Sequence, residues 1–176
     1  MARPSSRDRI LDALQEILTK DGLHAVTLES VAEHAGVSKG GLLYHFPTKE
    51  AMLDAFVERM CEAAEAEFAE AEQAEDIVQF YLRASVPGSS DAALMWSLVA
   101  SLRTNDVATA EARQLVAGFF ARWSEILHRK ISDPVMAQIV LLAGDGLYLR
   151  ALADLPLPDA ETHAAVAERL AHQARP

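Results

Sequence analysis

One cysteine in 176 residues, Cys61, leaves no partner for an internal disulfide and no second thiolate for a metal site, which is the usage of a reducing compartment. Long apolar runs are scarce too. The first twenty residues carry charge throughout, and no later segment is expected to approach the length needed to cross a bilayer. The expectation is a cytoplasmic chain that is neither secreted nor membrane-spanning. Aromatic residues make up only 6% while apolar residues make up 51%, the balance of an alanine-rich helical globule rather than a disordered chain.

Catalytic patterns are missing as well. Six histidines, His24, His34, His45, His128, His163 and His172, are scattered without a nucleophile, base and orienting group in a recognisable order, and neither Gly-x-Ser-x-Gly nor His-Glu-x-x-His occurs. There is no Gly-rich phosphate loop, no zinc-binding spacing and no internal repeat. The acidic run Glu62, Glu65, Glu67, Glu70, Glu72 and Glu75 lacks the Glu-x-x-His companions of a paired-helix carboxylate centre and reads as a solvated face. No enzyme activity, metal or cofactor is expected.

Positive charge is in short supply overall, with 16 Lys and Arg against 26 Asp and Glu, a formal net charge of −10. Its distribution matters more than its sum. Up to Arg59 there are 7 cations against 9 anions, whereas from Met60 onward there are 9 against 17. Sequence-blind coating of nucleic acid needs a broadly basic surface and is excluded. A protein that places a few cations at phosphates, with the acidity kept in a remote lobe, is not.

What is present begins with the stretch Thr27–Met52, which reads as three short helices with defined ends. Thr27 is an N-cap, Glu29 puts negative charge in the first turn, and Leu28, Val31, Ala32 and Ala35 form one apolar face that Gly36 closes. Ser38 caps the next helix, Leu42, Leu43 and Phe46 give it an inward face, and Pro47 stops it. Thr48 caps the third, opened by Lys49 and Glu50. Helix, glycine-containing turn, helix is the arrangement that carries a second helix into the DNA major groove. Ser38, Lys39, Gly40, Gly41, Tyr44 and His45 occupy the remaining faces of that helix. Two adjacent glycines each cost a helix about 1 kcal/mol against alanine, so close backbone approach to a phosphate is the functional reading of Gly40-Gly41. The competing reading makes the glycines a loop and Tyr44 core.

This stretch, above all GVSKGGLLYHFPTKEAM, resembles the DNA-binding signature of the TetR family, the tetracycline-repressor-like bacterial regulators. The resemblance is strong over residues 5–60 and architectural after that. It implies an all-α homodimer in which Thr27, Ser38, Lys39, Gly40, Tyr44, His45 and Lys49 face DNA, with Tyr44, His45 and Lys49 mostly on phosphates. Residues 1–4 read as a flexible arm, and Arg3, Arg7 and Arg9 gather there or in the first turns of the first helix. Arg3 and Arg7 are candidate DNA contacts. Ser5 and Asp8 resemble a capping box, Ile10, Leu11, Leu14, Ile17 and Leu18 form the inward face, and Gly22 ends the element.

Helical spacing from Lys49 continues through Leu53, Phe56, Val57, Met60, Cys61, Ala64 and Phe68. Beyond Ala74, breaks at Pro87–Ser90, Thr104–Asp106, Ser132–Pro134 and Leu155–Pro158 predict five more helices, about nine in all. Ala92–Leu102 reads as a buried rod and Val107–Ile131 as amphipathic. Val135–Leu152 is apolar almost all round, so half of it is assigned to a partner copy. Gly144 and Gly146 would admit another helix, and the final helix from Asp159, with Ala165, Val166 and Leu170, completes a four-helix dimer seam. The expected division is a helix-turn-helix DNA-binding domain over 1–48 and a helical ligand-binding and dimerisation domain over 49–176.

The same lobe concentrates large adaptable side chains: Phe80, Tyr81, Met95, Trp96, Val99, Phe119, Trp123 and Tyr148. Together with the resemblance they suggest a pocket for a small effector, apolar because cations are few among these segments. The reading is a regulator, most simply a repressor on a palindromic operator, released by that effector. The alternatives are an activator of the same fold, or a helical dimerisation or adaptor module whose helix-turn-helix serves packing only.

Overall fold

The computed structural model describes residues 5–88, 94–95 and 110–175. Among these residues there are eight α-helices and no strand: α1 Ser6–Lys20, α2 Leu28–His34, α3 Lys39–His45, α4 Lys49–Gln73, α5 Ile77–Ala84, α6 Ala110–Lys130, α7 Pro134–Leu152 and α8 Ala160–Ala174. A 3-10 turn at Leu23–Ala25 joins α1 to α2. Of the rod expected at Ala92–Leu102, only Leu94 and Met95 lie within the described residues; both are helical and Leu94 is buried. The arm at residues 1–4, with Arg3, lies outside them, as do Trp96 and Val99.

Two compact units are present, one of Met1–Cys61 with Ala93–Val116, the other of Glu62–Ala92 with Ala117–Pro176. The first is built on local signals. Ser5 Oγ accepts from the Asp8 amide at 3.1 Å while the Ser5 amide donates back to the Asp8 carboxylate at 3.3 Å, and these bonds hold the Asp8 carboxyl below its ordinary range. Thr27 Oγ1 accepts from the Ser30 amide and Ser38 Oγ from the Gly41 amide, each at 3.0 Å. Gly36 takes φ +62°, the left-handed conformation that ends α2 and turns the chain toward α3. Ile10, Leu11, Leu14, Ile17 and Leu18 of α1 then meet Val31 and Ala32 of α2, Leu42 of α3, and Met52, Leu53, Phe56 and Val57 of α4 in one core. Arg59 ties α4 to α1, donating to Asp12 at 2.6 Å and to Gln15 at 3.1 Å.

In the second unit, Phe68 and Ala71 of α4 share a core with Ile77, Val78, Tyr81 and Leu82 of α5, Trp123, Ile126 and Leu127 of α6, Ala137 and Val140 of α7, and Ala167 and Ala171 of α8. Alanines let α8 lie close to α5, and His163 Nε2 sits 3.2 Å from the Leu82 carbonyl. Asp133 and Asp159 cap α7 and α8 by accepting from Val135 and Thr162 amides.

Two expectations are corrected here. Helix α7 is long and apolar enough to cross a bilayer by length and composition, contrary to the reading that no segment approaches that length. Asp145 and Arg150 are its only charged residues, too few to offset its run of Val, Ile and Leu. In this chain it packs on α5 and α8. Gly144, expected to admit a helix from another copy, instead receives Tyr81 of α5: a Cβ there would lie 2.2 Å from Tyr81 Cε1 and 2.7 Å from Ser85 Oγ. Gly146 is exposed, with open space where its Cβ would be.

Candidate nucleic-acid interface and aromatic cluster

Helix α3 is a seven-residue element clamped at both ends, by Ser38 at its start and by Phe46, in an extended conformation (φ −136°) as befits a residue before proline, at its end. Leu42 and Phe46, four apart, are buried and fix which face points inward. The opposite face carries Gly40 and Tyr44, both exposed, Tyr44 at 85%, and Ser38 and Lys39 are exposed at the start of the helix. A tyrosine so exposed contributes nothing to the core, which removes the reading of Tyr44 as packing. The His45 ring is half-buried and stands edge-on to Tyr44, with centroids 5.2 Å apart. A Cβ on Gly40 would meet nothing within 4 Å, so no intramolecular contact requires glycine there.

Leu43 was expected inward and is instead 38% exposed, because a helix this short can bury only the stripe set by Leu42 and Phe46. It joins Tyr44 on the outer face. The signal was available in the sequence: with 42 and 46 inward, position 43 is turned about 100° away from their stripe.

The cations are not free in the unliganded chain. Lys39 Nζ is ion-paired with Glu29 of α2, whose carboxyl is held below its ordinary range first by that hydrogen bond and then by its own backbone amide. Lys49 Nζ donates to the Val26 carbonyl, and its partial burial pushes its pKa down. Thr27 spends its hydroxyl on the cap of α2. Arg7 lies with its guanidinium 5.7 Å from the Phe46 ring centroid, beside the end of α3, and Arg9 Nη1 is 3.4 Å from the Ala35 carbonyl. The structure thus brings Arg7, Lys39, Gly40, Tyr44 and His45 onto or beside α3, while Thr27 and Lys49 also hold the fold.

The Lys39–Glu29 pair has a testable consequence. Both side chains are more than half exposed, so Lys39 must exchange Glu29 for any phosphate it binds, and Glu29 then adds repulsion. Glu29→Gln is expected to tighten operator binding by about three- to tenfold and to steepen the salt dependence by about one counterion. Anisotropy titrations at several salt concentrations on a selected operator measure both. Unchanged affinity would show that Lys39 does not contact phosphate.

The aromatic candidates form one connected cluster. Trp123, 5% exposed, is its hub: Tyr81, Phe68 and Phe80 have ring centroids 5.0, 5.2 and 6.3 Å from it. Phe119 touches Phe68 at 5.4 Å and Phe120 at 5.4 Å, and Phe120 reaches Tyr148 at 6.1 Å. Phe68 and Phe120 were not anticipated as members. Met95 does not join them; it packs against the core of the first unit. The Tyr81 hydroxyl donates to Asp145 Oδ1 at 3.1 Å, and burial, then the Asp145 charge, push its pKa well up.

Comparison with known proteins bears on both regions. The pattern described as "Bacterial regulatory proteins, tetR family" matches residues 10–56, and "Tetracyclin repressor-like, C-terminal domain" matches residues 75–175. The HTH-type transcriptional regulator UidR of Escherichia coli (strain K12) is 24% identical over 132 residues, covering 75% of this chain and 67% of UidR. The HTH-type transcriptional regulator RutR of the same organism is 46% identical over 48 residues, 27% of this chain and 23% of RutR. A solved member of the TetR family from Streptomyces coelicolor A3, SCO1917, is 25% identical and superimposes with a TM-score of 0.73 over 95% of this chain and 98% of its own.

Proposed function

The chain belongs to the TetR family of helix-turn-helix transcriptional regulators, and from that premise we propose that it is a repressor that binds a palindromic operator as a homodimer and is released by a small, largely apolar effector. The observation that carries the DNA-reading assignment is the outer face of α3, where Tyr44 stands 85% exposed beside an unobstructed Gly40. Neither serves the fold. In the reading, residues 1–48 bind DNA and residues 49–176 dimerise and bind effector. Ser38, Gly40 and the start of α3 approach the backbone, Tyr44, His45, Lys49 and Arg7 hold phosphates, Lys39 reaches them on leaving Glu29, and Leu43 offers apolar surface to a thymine methyl. Arg3 and Thr27 complete the interface. Two α3 helices related by a two-fold axis enter successive major grooves about 34–36 Å apart.

The effector reading rests on the Trp123-centred cluster, with Phe80, Tyr81, Phe119 and Tyr148 as its proposed lining. Trp96, Val99 and Met95 remain candidates by sequence, Met95 the weakest by its packing. Helix α4 carries Met52 and Phe56 into one core and Phe68 into the other, so a displacement of Phe68 by ligand is transmitted along one continuous helix. An effector that prefers the displaced arrangement lowers the population competent for DNA. A cytoplasmic location follows from this function.

Selection of bound fragments from random DNA tests the class directly. Recovery of a palindrome is expected, and Tyr44→Ala should then weaken binding about tenfold without changing the circular dichroism spectrum, since the side chain is solvent-facing. No enriched sequence, or a Tyr44→Ala protein of full affinity, would remove α3 as the reader.

A further inference from the structure

An acidic side chain stands at the leading edge of the reading helix, where DNA would be expected to repel it. Glu29 is the second residue of α2 and Lys39 the first of α3, and Lys39 Nζ donates to Glu29 Oε1. The backbone under Glu29 is fixed: the Thr27 amide donates to Ser30 Oγ at 3.0 Å, and Ser30 Oγ donates to the Ala25 carbonyl at 2.9 Å. The Glu29 side chain itself is 64% exposed and the Lys39 side chain 57%. No burial or packing contact therefore requires a carboxylate here, and its place in the first turn of α2 favours the ionised form.

When a helix-turn-helix docks, the N-terminal residues of its second helix face the base edges while the first helix crosses the backbone. The ion pair thus holds the carboxylate at the tip of the side chain that leads α3. Once Lys39 leaves for a phosphate, Glu29 faces a polyanion with no counter-charge. What suits it in the major groove is an amine donor on a base. Guanine presents the acceptors N7 and O6 there, and thymine presents O4 and a methyl group. Adenine has an N6 amine, but its N7 acceptor lies beside it. Cytosine presents its N4 amine with no neighbouring acceptor, so it alone of the four matches a carboxylate.

We infer that Glu29 is a specificity-determining residue whose carboxylate accepts a hydrogen bond from N4 of a cytosine at one position in each half-site. This rests on the operator reading above and names one base pair, C·G, that each half-site contains.

The test repeats the selection from random DNA with the full-length wild-type protein, Glu29→Gln and Glu29→Ala, and follows it with anisotropy titrations on operators changed at single positions. For the wild-type protein, replacing the cytosine is expected to cost about tenfold in affinity. Glu29→Ala should reduce discrimination at that position to about twofold or less and leave the other positions alone. Glu29→Gln should move the preference from cytosine toward adenine, whose N6 and N7 suit a carboxamide, a change that a merely structural role would not produce. Relief of repulsion tightens binding to every sequence and is read separately from base preference. If a palindrome is recovered but both variants select the same bases as the wild-type protein, even with tighter binding, Glu29 is only a counter-ion to Lys39; the inference is then overturned while the operator reading stands. If the wild-type protein enriches no sequence, both fall. Should one variant fail to fold, the other decides, and a wild-type half-site without a required C·G pair overturns the inference with no variant at all.

Discussion

Ile139→Glu and Leu149→Glu are each expected to yield a folded monomer of 19.2 kDa whose operator affinity is reduced by about 100-fold or more, because the second half-site is no longer tethered to the first. The position of these residues makes the experiment clean. Val135, Ile139, Leu142, Gly146 and Leu149 succeed one another at intervals of four, three, four and three residues along α7, the spacing of a seam between helices. All five are exposed in the single chain, Ile139 at 43% and Leu149 at 57%, while Ala137, Val140, Gly144 and Leu147 face the chain's own core. A glutamate at 139 or 149 therefore meets water in the monomer and costs its fold little. In a dimer that covers this stripe, the same glutamate is an unpaired buried charge, destabilising by about 3–5 kcal/mol. Helix α8 adds Val166, 41% exposed, and a shallow depression of about 500 Å³ lined by Glu161, Thr162, Ala165, Val166, Arg169 and Leu170, into which a partner's side chains can fit. Sedimentation and operator titration read the outcome together. A full-strength dimer carrying either substitution would place the seam on another surface.

The helix ends were legible in the sequence because their physics is local. Ser5, Thr27, Ser38, Thr48 and Asp159 each accept from an amide three residues on, and such a bond needs no knowledge of the rest of the chain. The left-handed turn at Gly36 was legible for the same reason. What could not be read were partners far apart in sequence. Lys39 finds Glu29 ten residues away and Lys49 finds the Val26 carbonyl, so two side chains that sequence alone assigns to phosphates already have intramolecular contacts. Apolar type did not separate Leu42 from Leu43; the shortness of α3 did. The aromatic cluster was visible as composition, but Phe68 and Phe120 entered it, and Met95 left it, through packing that helical spacing does not encode.

Gly144→Ala is the second substitution with a large expected effect, and its interest lies in a conflict between local and tertiary terms. Within a helix, alanine is favoured over glycine by about 1 kcal/mol, so the exchange should stabilise α7 taken alone. Against this, the new Cβ would stand 2.2 Å from Tyr81 Cε1 and 2.7 Å from both Tyr81 Cζ and Ser85 Oγ. Neither neighbour has room to retreat. Tyr81 is 4% exposed, its hydroxyl is bonded to Asp145 and its ring packs on Trp123; Ser85 is 5% exposed and its hydroxyl donates to the Tyr81 carbonyl at 2.8 Å. Relief requires α5 and α7 to move apart, and overpacking of this kind costs about 1–3 kcal/mol, more where the clash is with anchored atoms. The net expectation is a loss of about 1–2 kcal/mol, a fall in Tm of about 2–4 °C per kcal/mol, with the fluorescence of Trp123 altered because its neighbour Tyr81 is displaced. Gly118→Ala supplies the comparison: it makes the same chemical change in α6, where a Cβ meets nothing within 4 Å, and should raise stability by about 0.5–1 kcal/mol. If Gly144→Ala stabilised the protein as much as Gly118→Ala, the close approach of Tyr81 to α7 would not exist in solution, and with it would go the hydrogen bond from Tyr81 to Asp145.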